Sequence, residues 1–590
     1  MAQTPTSLQL KDAGNTLYLK KDYIGAYAKY TEAIVVDGDN AVLYANRSAC
    51  CLAIEKYLDA AEDAQKATSL NPYYPKAWAR FASAQAALLR YQGSVISWER
   101  ALDALPRQHL SAAELKQKHE FEEGLRSAKL CLAIVNERGA PEGSIKIHKP
   151  DQEKLPWRIA QRILPRMRRR NQEEASKSSA WVIAMAWEEF GEGVKLMRQL
   201  KTTPREGQQF LSEGTSGVLP LLTNGILRDR RVFHISGARW FDDYNKQLDF
   251  EVKVTKAWPT LSPQQVLYQA KRGLRQKGWD EVRPAISTTI RAWVMLGLLD
   301  SLVGRAHHVA LEHFRKVIEV LELGRVYWKT VPKEQRGSIF DDAFIRGIHV
   351  QYLETYMQAS YAYSKDPGLN SKFQLALLFQ EADDLIKETR ADHYLPEMPY
   401  DPGFLSSFYI YPIGAGLAAK GFYHAQMAEY VTTREEILDH SHKAAQFYLE
   451  SANTYPQDDE NHAWYLRCAV EYMWKCGTEL RVTLVVLKRM REAIPKMKEI
   501  WGFVETGKME ELQMFVDAEE MLLKEVDRGK VTLGDLAAPV WAIDKKDIDI
   551  LHPAYMIMSG TEKRTQKEKV FTPYASGSNW DSEGFLEGQF

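Results

Sequence analysis

KDAGNTLYLKKDYIGAYAKYTEAIVVDGDNAVLYANRSACCLAIEKYLDAAEDAQKATSLNPYYPKAWAR, residues Lys11–Arg80, belongs to a chain segment that repeats on itself every 34 residues. Asn46 stands one interval before Arg80. Ala33, Ala67 and Ala101 keep the same spacing, as do Tyr23, Tyr57 and Tyr91, and Gly38, Pro72 and Pro106. A period of this length marks a helix–turn–helix unit that buries its apolar side only by stacking on its neighbours. The second helix of such a unit carries an alanine with a large side chain four residues later. Ala26–Tyr30 fits this in the first unit and Trp98 fills the large position in the third, whereas the second has Ala60 with the smaller Ala64. Three helix pairs over Ser7–Leu105 follow. The charged amphipathic stretch Ser111–Val135 supplies the cap that the last pair needs over its apolar face.

The pattern is that of the tetratricopeptide repeat (TPR), and polar residues on it carry a further resemblance. Lys11 and Asn15 are four apart, as are Lys76 and Arg80, so each pair shares a helix face. Written as LKDAGN (Leu10–Asn15), YANRS (Tyr44–Ser48) and PKAWAR (Pro75–Arg80), the chain resembles the carboxylate clamp of chaperone-binding TPR domains. In that family the first helices of successive repeats line a concave groove. The groove holds the C-terminal carboxylate and the last Asp side chain of heat-shock chaperones ending in Glu-Glu-Val-Asp. The resemblance implies peptide-carboxylate binding by Lys11, Asn15, Asn46, Lys76 and Arg80, with chaperone tails of the seventy- or ninety-kilodalton class as partners. The chemistry agrees independently. Two carboxylates need cationic or amide donors, and charge-assisted hydrogen bonds are the strong ones. Asn46 and Gly14 also occur in TPRs that bind no chaperone, where they pack or cap, so it is the set of five that carries the reading. It covers residues 7–110 and is silent on the rest.

At 590 residues the chain is expected to hold several domains, at roughly 150 residues each. Hydrophobic residues at 45% and charged residues at 26% are those of a well-cored protein. A net charge of −1 gives no global field for nucleic acid or anionic membrane. The five cysteines (Cys50, Cys51, Cys131, Cys468 and Cys476) show no CxxC spacing, and Cys50–Cys51 read as small buried hydrophobes. No signal pattern opens the chain, and no apolar run approaches the roughly 20 residues that span a bilayer. A cytoplasmic protein with possible nuclear entry is expected.

Gly139, Pro141, Gly143, Pro150 and Pro156 break the pattern after the cap, so 1–135 reads as a TPR domain and 136–156 as a linker. The basic cluster PRMRRRN (Pro165–Asn171) reads as a solvated helix end beside Glu173–Glu174 rather than a nucleic-acid patch. Ala180–Leu200 reads as a helix, while RVFHIS and DFEVKV within Arg231–Trp258 alternate as two short strands do. Residues 157–260 are therefore expected to be a mixed α/β connecting region. From Ser262 to about Arg528 the periodicity is helical. Ala310, Phe314 and Val317, and again Ala445, Leu449 and Ala452 before Pro456, read as degenerate TPR second helices. Residues 261–545 are accordingly read as a TPR-like α-solenoid domain, and 546–590, with TEKRTQKEK and SGSNWDSEG, as a flexible tail. The fold class is all-α in the main.

Gly414–Ala419 fits the GxGxxA form of a dinucleotide fingerprint, and FYIYP before it passes for a strand. Pro412 intervenes and only helical patterns follow, so small residues at a close helix contact are the better reading. His307–His308, His440 and His442 lack HExxH spacing or a matching cysteine set. There is no GxSxG elbow and no P-loop, and no residue is nominated as catalytic. The expectation is an adaptor without cofactor or metal, contacting chaperone tails at its N-terminal end and a second, unknown partner through its C-terminal helices. Two alternatives stay open. One is a generic TPR scaffold for another acidic peptide, and the other an uncharacterised enzyme in residues 157–545.

Overall fold

A computed structural model describes residues 5–106, 108–137, 152–167, 169, 177–204, 210–304, 306–362, 374–392, 402–502, 506–543 and 555–558. The chain divides into two compact units. The first draws on 1–146, 258–282 and 293–320, and the second on 147–257, 283–292 and 321–590.

The first unit opens with the expected helix pairs: α1 (Ser7–Leu19) with α2 (Tyr23–Val36), α3 (Ala41–Ala53) with α4 (Tyr57–Leu70), and α5 (Pro75–Ala87) with α6 (Tyr91–Asp103), followed by α7 (Ala112–Glu137). Local signals set these bounds. Thr6 and Gln9 form a reciprocal capping box at α1, Asp22 caps α2 through the Gly25 amide, Asn40 caps α3, and Pro75 stands at the start of α5. The period is visible in the backbone itself. Lys21, Glu55 and Leu89, one repeat apart, all take a left-handed φ of 62°, 61° and 58° in the turn between the helices of a pair. Leu10, Ala26, Tyr30, Ala33, Ile34, Leu43 and Cys50 form the core of the first pair and its neighbour. Phe121 of α7 closes the stack on Ala79, Ala101 and Leu105, as a cap must.

The expected boundary between a 1–135 domain and a 261–545 domain does not hold, because residues 293–320 belong to the first unit. Val309 packs among Cys51, Leu58, Ala60, Ala61, Ala84 and Leu88. Beside it lies a buried polar cluster. Lys316 Nζ stands 3.3 Å from Asp59 Oδ1 and 3.0 Å from Glu62 Oε1, and Glu312 Oε2 accepts from the Leu58 amide at 2.8 Å. Ala310, Phe314 and Val317 are buried as the alanine–large pattern required, but Val309, Glu312 and Lys316 of the same helix (His307–Tyr327) dock on the repeats. Those contacts join positions some 250 residues apart, where periodicity within a window has nothing to report.

This cluster gives the unit a pH dependence. Burial pushes Glu312 up to about 8 and Glu62 up to about 7, from an ordinary 4.5, against the opposing charge of Lys316. The other charges facing them are Asp59, Asp63 and Arg315. An acid whose folded value is raised keeps its proton in the folded state after the unfolded chain has lost it. Its stabilising effect is complete below 4.5 and is lost as pH rises through the folded value. Amides of Tyr57–Leu70 are therefore expected to be better protected from hydrogen exchange at pH 6 than at pH 8.5, after correction for intrinsic rates. Equal protection at both would contradict the assignment.

In the second unit, helices Tyr411–Tyr430 and Arg434–Thr454 pack closely, with Glu460–Lys475 beside the latter. Gly414–Ala419 lie inside the first of these. A Cβ on Gly414 would stand 2.5 Å from Thr454 Oγ1, and one on Gly416 2.7 Å from Ile386 Cγ1, so these small residues serve close helix packing. FYIYP is not a strand: Ser406–Ile410 form a π-helical turn that runs into the helix at Tyr411. The buried centre includes Arg231, paired with Asp229, Asp459 and Glu460 and lying 3.9 Å from the ring centroid of Trp501.

Within 157–260, the two segments expected as strands are corrected. RVFHIS begins inside a 3-10 turn, Arg230–Val232, and DFEVKV lies in the helix Trp240–Thr255. That helix buries Trp240, Tyr244, Gln247 and Glu251, a helical stripe disguised by two polar members. Glu251 is buried because its Oε1 accepts from the amides of Val218 and Leu219 at the start of helix Val218–Arg228, at 2.8 and 3.0 Å. The strands among the described residues of the region are Lys201–Pro204 and Phe210–Glu213, an antiparallel pair. The tail reading fails at one point: Met556–Met558 pair in parallel with Ala537–Pro539, and Tyr555 donates to Trp474 O at 2.8 Å. The linker reading is narrowed, because α7 runs to Glu137 and a helix begins at Pro156; residues 138–151 lie outside those described, as do residues 168, 170 and 171 of PRMRRRN. Among the described residues one helix, Trp279–Leu302, is long and apolar enough by composition to cross a membrane, but 72% of its apolar window is buried in protein.

Candidate peptide-carboxylate site

All five expected residues fall on the first helices of the three pairs. Lys11 and Asn15 stand one turn apart on α1, Asn46 on α3, and Lys76 and Arg80 one turn apart on α5. Lys76 is exposed and the other four are half-buried, so each is open to solvent yet braced by the repeat. Asn46 Nδ2 donates to Asn15 Oδ1 at 3.2 Å, which joins α1 to α3 at the centre of the set. Arg80 lies close enough to Cys50, one turn beyond Asn46, for its charge to act on that thiol, which burial pushes up to about 12. Among the described residues no carboxylate forms an ion pair with Lys11, Lys76 or Arg80. The contrast with Arg47, one residue from Asn46, is informative. Arg47 is buried and fully engaged by Asp63 at 2.8 and 2.6 Å, as a structural arginine should be.

One contributor went unremarked in the sequence reading. Tyr30 Oη donates to Asn15 Oδ1 at 2.7 Å, and its ring reaches across α1 because residue 14 is glycine; a Cβ there would stand 2.8 Å from Tyr30 Cε1. Burial pushes the Tyr30 hydroxyl up to about 12, so it stays a donor. The signal was present in the sequence as a tyrosine at a position where the repeat asks only for a large ring.

The other candidates are placed elsewhere. A ring nitrogen of His308 lies 2.8 Å from Ala87 O, and His307 lies 3.5 Å from Ser301 Oγ. His440 faces His424 at 2.8 Å between their Nδ1 atoms, and His442 lies against Gln446. Among the described residues no group of three or more His, Cys, Asp or Glu side chains is arranged to hold a metal.

No family model matches the chain. Curated proteins do. The chain is 36% identical over 103 residues to the heat-shock protein cognate (HSC) co-chaperone sgt12 of Aspergillus fumigatus, covering 18% of this chain and 30% of that protein. It is 46% identical over 72 residues to the heat shock protein sti1 homolog of Schizosaccharomyces pombe, covering 12% of each. In part of its length, the chain is similar to TPR co-chaperones. It spans less than a third of the length of these relatives. The solved TPR domain of Sgt2 from Aspergillus fumigatus is 29% identical, covering 26% of this chain and 95% of that one, with a TM-score of 0.21. At that score the weight rests on the repeat geometry described above.

Proposed function

We propose that this protein is a TPR co-chaperone-like adaptor, not an enzyme, whose α1, α3 and α5 bind the C-terminal acidic tail of a heat-shock chaperone. The observation that carries the reading is the set of five donors on three successive first helices, linked at Asn15–Asn46, with no protein carboxylate paired to its cations among the described residues. A peptide ending in Glu-Glu-Val-Asp brings two carboxylates at its last residue, and the set offers charged and amide donors to both. The similarity to curated co-chaperones supports it. The second unit then serves a different partner, and the place of work is the cytoplasm, where such chaperones are found.

A pull-down with purified seventy- and ninety-kilodalton chaperones tests this. The intact protein is expected to retain at least one of them. It should fail to retain the same chaperone truncated by its last four residues. Equal retention of the truncated form would direct the search to another acidic peptide.

A further inference from the structure

We infer that Tyr30 is a positioning residue for the peptide-carboxylate site, its hydroxyl holding the Asn15 amide with the NH2 group turned to the ligand. The inference rests on the clamp reading of Lys11, Asn15, Asn46, Lys76 and Arg80.

Tyr30 is 2% exposed on α2 and reaches the site through its hydrogen bond to Asn15. Packing alone does not call for its hydroxyl. The repeat pattern has phenylalanine at this position, and in the other two units Ala64 and Trp98 fill it. Yet the hydroxyl is the shorter of two donors on one oxygen. Tyr30 Oη at 2.7 Å and Asn46 Nδ2 at 3.2 Å both give to Asn15 Oδ1. An amide oxygen has two lone pairs, and here both are taken. What Asn15 has left is Nδ2, a donor.

That orientation decides what the site accepts. The two ends of an asparagine amide are alike in shape and opposite in polarity. A carboxylate accepts hydrogen bonds and gives none, so it is held by Nδ2 and repelled by Oδ1. Turning the amide over would point Asn15 Nδ2 at Asn46 Nδ2 and leave the Tyr30 proton without its acceptor. Tyr30 therefore sets the polarity of a residue it supports from behind. Gly14 permits this, since a side chain there would push the ring away from α1.

The test uses full-length protein and calorimetric titration with a peptide ending in Glu-Glu-Val-Asp, as the free acid and as the C-terminal amide. Tyr30→Phe is expected to weaken the free acid by about five- to tenfold. It should leave the amide peptide within about twofold, so the preference for the free acid falls. A merely structural role would lower the melting temperature and weaken both peptides alike. Because Tyr30 acts through Asn15, Asn15→Ala and the double variant Asn15→Ala/Tyr30→Phe should bind equally. Free-acid binding by Tyr30→Phe within twofold of the wild type, or additive losses in the double variant, would overturn the proposal while the clamp reading stands. Arg80→Glu, run alongside, separates the two failures. If it binds like the wild type, the clamp reading itself is wrong and the role of Tyr30 goes with it.

Discussion

Replacing Lys76 or Arg80 by glutamate is expected to weaken binding of a Glu-Glu-Val-Asp peptide by at least a hundredfold. Each change removes a charged donor and sets an acid against the ligand's acid. Losing one charged hydrogen bond costs about 1.5–3 kcal/mol. Repulsion adds to that, so a micromolar affinity, roughly −8 kcal/mol, weakens to about a tenth of a millimolar or worse. The loss is not an indirect effect of unfolding. Lys76 is exposed, Arg80 is half-buried, and among the described residues neither holds an ion pair whose breakage would destabilise the repeat. Wild-type binding should also weaken with added salt, since exposed charges are screened beyond about 8–10 Å at physiological ionic strength. Lys66→Glu, the same charge change at an exposed site on α4, should leave the affinity unchanged. Titration of the three variants decides it, and unchanged affinity in Lys76→Glu and Arg80→Glu would mean that the five residues are not a clamp.

The second large effect is on stability. Lys316 is 6% exposed and stands between Asp59, 5% exposed, and Glu62. Burial alone would lower its pKa, but those two carboxylates hold it above the ordinary lysine value. Lys316→Met keeps much of the aliphatic length and removes the charge, leaving a buried carboxylate without a counter-ion. Breaking a buried pair in this way costs about 3–5 kcal/mol. The expected loss is near the lower end, because Glu62 can take up a proton. Asp59→Asn in the Lys316→Met background should recover part of it, since the orphaned charge is then gone. Hydrogen exchange of the α4 amides in the intact protein measures both changes. A Lys316→Met variant as well protected as the wild type would show that the cluster does not hold residues 306–320 to the repeats.

The repeats were legible because their information is local. Ala26–Tyr30, the 34-residue spacing and the Ser111 cap each depend on residues within one or two turns or one repeat, and the structure realises them as α1 to α7. Lys11, Asn15, Asn46, Lys76 and Arg80 were legible for the same reason, since helix geometry fixes which residues share a face. What escaped is non-local or polar. The contact of Glu312 with the Leu58 amide joins two distant parts of the chain, so the domain boundaries drawn from periodicity divided a single unit. The helix Trp240–Thr255 buries Gln247 and Glu251 because Glu251 caps another helix, and a reading that equates burial with apolar residues sees only the alternation in DFEVKV. Met556–Met558 form a strand only by pairing with Ala537–Pro539, in a stretch whose composition reads as tail. Tyr30 was seen as a core residue, and its second role needed the position of one oxygen on Asn15.

The most direct measurement of the central claim is a comparison of two ligands on the unaltered protein: a peptide ending in Glu-Glu-Val-Asp as the free acid, and the same peptide with its C-terminus amidated. Amidation removes one of the two carboxylates and changes nothing else. Binding of the free acid at micromolar affinity, with a loss of tenfold or more on amidation, is the expected result. Equal affinity for the two peptides would contradict it, because a site that does not distinguish a carboxylate from an amide is not a carboxylate clamp.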